Sequence, residues 1–460
     1  MKITVFQSDK GDCLLLEGRD GGCVLADGGM PDTYTRHVSP HLNKMRENGR
    51  KLDAVYVSHI DEDHIAGILQ MMDDEVEWRI FDYQTGIAKN GNARRPESLR
   101  PPEVDCIWHN AFHEQVSDNN GDIEDVLAAT VAVLAGGELQ KYVRMAEYHQ
   151  EVATSIRQAM SLSRRIDEGQ LDIKLNPQSK GKLMMLRRGK KAASIKIGSM
   201  DWTLIGPMPA DLADLRAEWN AWVKKNRKTI GGIQEKSRKT EKLMGNSLPN
   251  EVNKIVGVFA AQADHLGGDL LSRIGPKKQM VLGVRRKVTV PNLASLMFFV
   301  EERDGDGRKR TVLMSGDGHW EDILKGMEAT GKIKKNATLH VDVLKGPHHL
   351  SEHNTNRDFY KRVIADHYVT CANGGHENPD VDVVRAILDS RLDPKHQGDH
   401  PRVSEPFTLW FNSSSSDPDA DAKNRVHMKK VEDLVAKKVE ENMGRVEAFF
   451  LQDSFFEITI

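Results

Sequence analysis

The stretch Leu52-Asp53-Ala54-Val55-Tyr56-Val57-Ser58-His59-Ile60-Asp61-Glu62-Asp63-His64-Ile65-Ala66-Gly67 decides how this chain is read. Leu52–Ser58 is an apolar run with β-branched residues, suited to a buried strand. Ile65–Met72 then has helical spacing. Between them, His59, Asp61, Asp63 and His64 place four potential metal ligands within six residues. Residues two apart in an extended segment face the same side, so His59 and Asp61 can converge on one ion. Asp63 and His64 fall where the chain turns into the helix and can serve a second. Imidazole and carboxylate are the usual ligands of Zn²⁺, Mn²⁺ and Fe²⁺. The bland alternative is an acidic helix N-cap with incidental histidines, and it must place all four groups by accident.

On either side the pattern is β-rich, then helical, then β-rich. Ile3–Phe6, Cys13–Glu17 and Cys23–Ala26 are short apolar runs punctuated by Gly-Asp and Gly-Gly turns. Asp32–Asn48 reads as a helix. The stretch 76–194 reads as mainly helical, with Glu124–Glu168 its longest periodic segment, and Lys180–Lys191 as a basic loop. Asp201–Ile205 resumes strand character, and Ala210–Asn226 is helical. Ala294–Val300 and Thr311–Met314 flank Asp304-Gly305-Asp306-Gly307, a hairpin pattern. Leu339–Leu344, His367–Cys371, Phe407–Phe411 and Phe455–Ile460 are further strands, and Asn424–Asn442 is a charged helix. No internal repeat of fixed period stands out. The expected division is a split core of residues 1–75 and 195–410, a helical insertion at 76–194, and a C-terminal helix and strand at 411–460 packed on the core.

Composition bounds the function classes. The chain has 460 residues, 39% of them hydrophobic, enough for a large core. With 65 basic and 68 acidic residues the formal charge is only −3, which argues against a dedicated polyanion binder. No apolar run reaches the roughly 18 residues needed to span a bilayer, so no membrane role is expected. Cys13, Cys23, Cys106 and Cys371 show no Cys-x-x-Cys spacing. A zinc knuckle or disulfide framework is therefore not expected, and a reducing, cytoplasmic setting fits.

Several further motifs extend the first. Gly11-Asp12-Cys13-Leu14-Leu15-Leu16 is followed by Leu25-Ala26-Asp27-Gly28-Gly29. Later come Asn292-Leu293-Ala294-Ser295-Leu296, Leu313-Met314-Ser315-Gly316-Asp317, Leu344-Lys345-Gly346-Pro347-His348-His349-Leu350-Ser351 and Asn373-Gly374-Gly375-His376-Glu377-Asn378-Pro379. In this order, around His59-x-Asp61-x-Asp63-His64, the set resembles the metallo-β-lactamase-fold hydrolases, and among them the ComEC-related hydrolase domain. The resemblance covers roughly residues 1–75 and 195–410, with gaps. It implies an α/β fold, an αββα metallo-β-lactamase sandwich, carrying two divalent metal ions, Zn²⁺ or Mn²⁺, at one edge.

The resemblance also implies roles. His59 and Asp61 ligate the first ion. Asp63, His64 and His348 ligate the second, and Asp317 bridges both. Asp27 orients a ligand from outside the metal shell. Of the tandem pair, His348 is favoured as the ligand because it comes first after the strand, leaving His349 to contact substrate. His376 is placed to donate a proton to a leaving group or is a satisfied loop histidine. His353 reads as a surface residue. The chain departs from the family in three places. Asp61 replaces a histidine, and this harder ligand favours Mn²⁺ more than a histidine-rich site would. Asn292 and Ser295 stand where another histidine is common, with Asp264-His265 and His319 as substitutes. Leu350 stands where the closest motif has glycine.

A two-metal centre suits hydrolysis of phosphodiesters, esters or lactams. The ComEC-like motifs favour a phosphodiesterase or nuclease, with nucleic acid or a nucleotide as substrate. The alternatives are a small-molecule ester or lactam hydrolase, and a partner-binding regulatory protein with a degenerate metal site. The helical insertion is expected to serve as lid, protein-docking site or self-association surface. The basic runs Arg187-Arg188 with Lys190-Lys191, Arg285-Arg286-Lys287 and Arg308-Lys309-Arg310 either contact phosphates or are solvated faces. Trp202, Trp219 and Trp222 read as core residues.

Overall fold

The computed structural model describes residues 1–110, 161–186, 194–210 and 294–460, together with Gln158 and Asn292. Their strands form two sheets. The first holds β1 (Lys2–Phe6), β2 (Leu14–Glu17), β3 (Cys23–Ala26), β4 (Ala54–Tyr56), β5 (Cys106–Trp108), β6 (Lys174–Leu175) and β15 (Phe455–Thr459), in the order β15-β1-β2-β3-β4-β5-β6. The second holds β7 (Ser194–Ile197), β8 (Met200–Gly206), β9 (Met297–Arg303), β10 (Lys309–Met314), β11 (Leu339–Lys345), β12 (Val363–Thr370), β13 (Phe407–Phe411) and β14 (Val446–Phe450), in the order β14-β13-β12-β11-β10-β9-β8-β7. Antiparallel hairpins open each half of the chain. Pairing then turns parallel, from β3 to β6 in one sheet and from β10 to β14 in the other.

Side-chain alternation explains the layers. Leu14, Leu16, Val24, Ala26, Ala54 and Tyr56 face the second sheet and meet Trp202, Phe298, Val300, Val312 and Met314. Their neighbours Leu15, Leu25 and Val55 face outward onto helices. Both faces are therefore buried, and the strands read as continuous apolar runs. Tyr56, Trp108, Trp202 and Phe298 interlock edge to face at the middle of the sandwich. The outer helices on the first sheet are α1 (Ser39–Glu47) and α2 (Glu62–Gly86). On the second they are α3 (Trp320–Ala329), α4 (Arg357–Arg362), α5 (Val381–Leu392) and α6 (Ala422–Glu441). The described residues thus form a four-layer α-β-β-α arrangement.

Three differences from the sequence reading have physical causes. The helix expected over Asp32–Asn48 breaks into a turn at Pro31–Thr33, a π-helical segment at Tyr34–Val38, and α1. Pro40 has no N–H to give the ladder, and the wider π turn absorbs the lost bond. The helix read over Ile65–Met72 continues to Gly86, where Trp78 still packs inward. Two strands, β5 and β6, come from within the 76–194 stretch and pair with β4 and with each other. They are three and two residues long, too short to show a period. Most of Glu124–Glu168 lies outside the described residues, as do most of Ala210–Asn226 and all of Trp219, Trp222, Asp264 and His265. The last stretch supplies α6 and completes both sheets, β14 beside β13 and β15 beside β1.

Candidate metal centre

The loops that leave the carboxyl ends of β3, β4, β10, β11 and β12 meet at one edge of the sandwich. They bring Asp27, His59–His64, Asp317, Lys345–Leu350 and Cys371 to the turn that carries Asp12. Close backbone approach sets this meeting. A Cβ on Gly67, in the second turn of α2, would lie 2.0 Å from the Gly28 carbonyl oxygen. With glycine at both places, Gly28 N–H donates to the His64 carbonyl at 2.9 Å and Gly67 N–H to the Gly29 carbonyl at 3.0 Å. The first turn of α2 is thereby pinned against Asp27.

Four imidazoles share one arrangement. His64 Nδ1 lies 3.0 Å from Asp27 Oδ2. Ser58 donates its hydroxyl to the same carboxylate oxygen at 2.8 Å, which leaves its oxygen to accept from His59 Nδ1 at 3.0 Å. His349 Nδ1 donates to the Cys371 carbonyl at 2.7 Å, and His348 Nδ1 to Asn354 Oδ1 at 2.6 Å. With each Nδ1 committed outward, each Nε2 turns inward. All four face one atom, Asp317 Oδ2, at 3.7 Å for His59, 3.4 Å for His64, and 3.6 Å for His348 and His349. The Nε2 atoms of His59, His64 and His349 are buried and have no hydrogen-bond partner. Buried polar atoms are normally satisfied. Three that are not, aimed at one carboxylate oxygen, are donors arranged for a cation. Among the described residues, two triads have ligand atoms close enough to hold an ion, His59–His64–Asp317 and Asp63–His64–His349, and a third, Asp12–Asp27–His64, lies behind them. Asp61 Oδ2 adds an oxygen 3.4 Å from His59 Nε2, and Asp63 Oδ2 lies 3.2 Å from His349 Nε2.

The tandem histidines sit in a tight turn. His348, His349 and Leu350 all have positive φ, at 44°, 53° and 61°. Each costs on the order of 1–2 kcal/mol for a residue with a Cβ. Anchors on both sides hold the turn. His348 N–H donates to the Gly316 carbonyl at 3.2 Å, and Asp380 N–H to the Leu350 carbonyl at 3.1 Å. The Leu350 side chain, where a glycine was the motif's residue, is buried in the core beneath the second sheet.

The electrostatics follow from this crowding. Burial alone would lift the Asp63 carboxyl, but His64 and His349 hold it well below the usual carboxylate range. Burial likewise opposes ionisation of Asp317, and the surrounding imidazoles, His64 foremost, override it and hold its pKa well down. Burial opposes charge on His64, yet Asp317, Asp27 and Asp63 raise it well above the imidazole range. The same balance, with Asp317 the largest attraction, raises His349 to about 10. Burial dominates at His348 and lowers it. The cluster therefore attracts positive charge.

Of the expected site residues, the structure brings together Asp27, His59, Asp61, Asp63, His64, Asp317, His348 and His349. His376 is exposed on the short turn Gly375–Glu377, outside the three triads. His319 caps α3, its ring accepting from Glu321 N–H at 3.4 Å. Asn292 stands beside His348, with Nδ2 3.2 Å from Nε2, and Ser295 Oγ accepts from Asp317 N–H at 3.3 Å. His353 is partly exposed next to Glu352. Arg308–Arg310 lie in the β9–β10 hairpin, at the opposite end of β10 from Asp317. There Lys309 pairs with Glu301, and Arg310 with Asp304 and Asp342. Trp202 is core. The sequence reading gave no role to Asp12, Lys345, Ser58 or Asn354. Asp12, Ser58 and Lys345 lie inside motifs already quoted, and for Lys345 a charge directly after Val343-Leu344 at a strand end was the available signal.

Fold and site together define a four-layer α/β protein with a histidine–carboxylate centre at the strand ends, whose groups could hold a metal ion. Residues 9–74, which hold Asp12, Asp27 and His59–His64, match the model of the Metallo-beta-lactamase superfamily. No curated protein matches the chain.

Proposed function

We propose that this protein is a two-ion hydrolase of phosphodiesters, with nucleic acids and nucleotides as the substrate class. The observation that carries the reading is the convergence of four imidazole Nε2 atoms on Asp317 Oδ2, three of them buried without a hydrogen-bond partner. His59 and Asp61 would hold one ion, and Asp63, His64 and His349 the other, with Asp317 between. This gives His349 the ligand role that its neighbour held in the sequence reading, because His349 faces Asp63 and is buried. His348 keeps 26% of its side-chain surface and would be left to contact substrate. Divalent ions in such a centre supply Lewis acidity, which lowers the pKa of a water and offsets charge on the attacked group. The chain's part is to orient. Asp27 and Ser58 fix the tautomers of His64 and His59, Cys371 fixes His349, and Asn354 fixes His348 while its Nδ2 donates to the Asp317 carbonyl at 2.7 Å. His376 has no part in this assignment.

The choice of phosphodiesters rests on the ComEC-like order of motifs, since a fold alone does not give substrate. Zn²⁺ and Mn²⁺ both suit the donors, and the carboxylate of Asp61 favours Mn²⁺. The test is cleavage of single- and double-stranded DNA, RNA and cyclic nucleotides with Mn²⁺ or Zn²⁺. Cleavage that Asp63→Ala abolishes is the expected outcome. Turnover of esters or lactams in its place would replace the substrate class, and cleavage that survives Asp63→Ala would refute the reading. A second reading, a partner-binding protein with a degenerate centre, draws on Asn292 standing where a histidine is common. Full ion occupancy with hydrolysis would exclude it.

A further inference from the structure

One buried charge at the centre has no part in holding metal. Lys345, the last residue of β11, is 1% exposed. Its ammonium forms an ion pair with Asp12 Oδ2, lies 3.7 Å from Asp317 Oδ1, and donates to the Gly316 carbonyl at 3.3 Å. Lysine is almost never fully buried unless paired. A buried ion pair gives stability poorly, because desolvation offsets the attraction. A fixed cation beside two divalent ions also works against binding them. Neither stability nor raw metal affinity therefore explains a lysine here.

Geometry does. Lys345 approaches one oxygen of each of two buried carboxylates. Asp317 Oδ1 is turned to the ammonium, and Asp317 Oδ2 is the atom that all four imidazoles face. Asp12 gives Oδ2 to the ammonium, and its Oδ1 lies 3.3 Å from His349 Nδ1. Asp12 Oδ2 also lies 3.9 Å from His64 Nδ1. One ammonium thus attracts Asp317 Oδ1 from 3.7 Å, beyond hydrogen-bond distance, and through its ion pair with Asp12 stands behind two imidazoles. The attachment is firm on both sides. Ser315 Oγ donates to the Lys345 carbonyl at 2.7 Å, and a Cβ on Gly11, beside Asp12, would lie 1.8 Å from the Asp63 carbonyl oxygen.

We propose that Lys345 and Asp12 form a positioning pair for the metal centre, in which Lys345 withholds Oδ1 of Asp317 so that this carboxylate meets the ions through Oδ2. This rests on the metal-centre reading above. Without the ammonium, Asp317 is free to turn and offer both oxygens. Ion binding is then retained or tightened, while the geometry that acts on substrate is lost. A residue that merely supported the ligands would do the reverse and weaken binding.

The test uses the full chain and the double variant Asp12→Asn/Lys345→Met, which removes both charges of the pair together. Lys345→Met alone, which removes the ammonium and keeps the Asp12 contacts to His64 and His349, serves as a second variant should the double variant not fold. Three quantities are read: Mn²⁺ affinity and stoichiometry by equilibrium dialysis, the visible spectrum of the Co²⁺-loaded protein, and the pH profile of bis(p-nitrophenyl) phosphate hydrolysis. The expected result is Mn²⁺ affinity at least equal to native, an altered Co²⁺ spectrum, and kcat lower by roughly 10–100-fold with KM little changed. The pH profile is expected to move by about one unit. A native Co²⁺ spectrum with a native pH profile in the variants would overturn the proposal, and so would a loss of rate that only follows a loss of bound ion. Native protein that takes up no ion would overturn the metal-centre reading itself, which the variants' behaviour cannot do.

Discussion

Each imidazole of the centre is a two-ended device, with Nδ1 fixed by an outer acceptor and Nε2 left for the interior. Removing an outer acceptor should therefore weaken metal binding without removing a ligand. Ser58→Ala takes the partner from His59 and a donor from Asp27. Metal affinity, measured by competition with a chromophoric chelator, is expected to fall about 10–100-fold. Protons compete with metal at the same nitrogens. In the ion-free protein His349 has its pKa raised to about 10, against an ordinary value of 6.5. Its folded-state value is the higher one, so its contribution to stability is complete below the unfolded value and is lost as pH rises through about 10. Ion binding must expel this proton. Apparent metal affinity is then expected to rise from pH 6 toward pH 9, with proton release detected by calorimetry in buffers of different ionisation enthalpy. Affinity that is flat with pH would contradict the protonated state. At this scale the sequence was readable where ligands cluster, as in His59–His64. It favoured His348 over His349 as the ligand on chain order alone, whereas the arrangement of the pair depends on a turn with three consecutive positive φ values.

The elements hold these residues through a few close contacts. Gly67→Ala puts a Cβ 2.0 Å from the Gly28 carbonyl oxygen, so α2 must move away from β3. A loss of about 1–3 kcal/mol is expected in denaturant unfolding, together with weaker ion binding, since His64 lies one turn away. Leu350→Gly is a balance of opposites. It relieves on the order of 1–2 kcal/mol of left-handed strain. It also deletes a buried leucine side chain, a loss of the same kind as Leu→Ala, which costs roughly 2–5 kcal/mol. Burial is the larger, so the variant is expected to be less stable, and a gain in stability would show that the turn rather than the core sets the choice of residue. Strands with alternating or continuous apolar runs, such as β1, β3 and β13, could be read from sequence almost to the residue. The helices α3 and α5 and the strands β5, β6, β7 and β14 went unread. β5 and β6 owe their pairing to neighbours distant in sequence. In α3 the helix start is a histidine cap, which no common cap pattern announces.

The whole molecule joins its two ends through the sheets. β15 lies against β1 in one sheet, and β14 against β13 in the other. Deleting residues 446–460 would strip an edge strand from both, and loss of the cooperative unfolding transition is expected. The sandwich order was legible because the motifs fall at strand ends in sequence, whereas the layering of helices was legible only in outline. No described helix is long and apolar enough to cross a membrane. Within this frame the centre stands or falls on Asp317, which among the described residues is the group that all four imidazoles face. The most direct measurement is the number of ions bound per chain, by equilibrium dialysis with elemental analysis, for the native protein and for Asp317→Ala of native circular dichroism. Two ions in the native protein and none held by the variant are expected. A native protein that holds no divalent ion, or a variant that holds as many as the native, would contradict the centre described here.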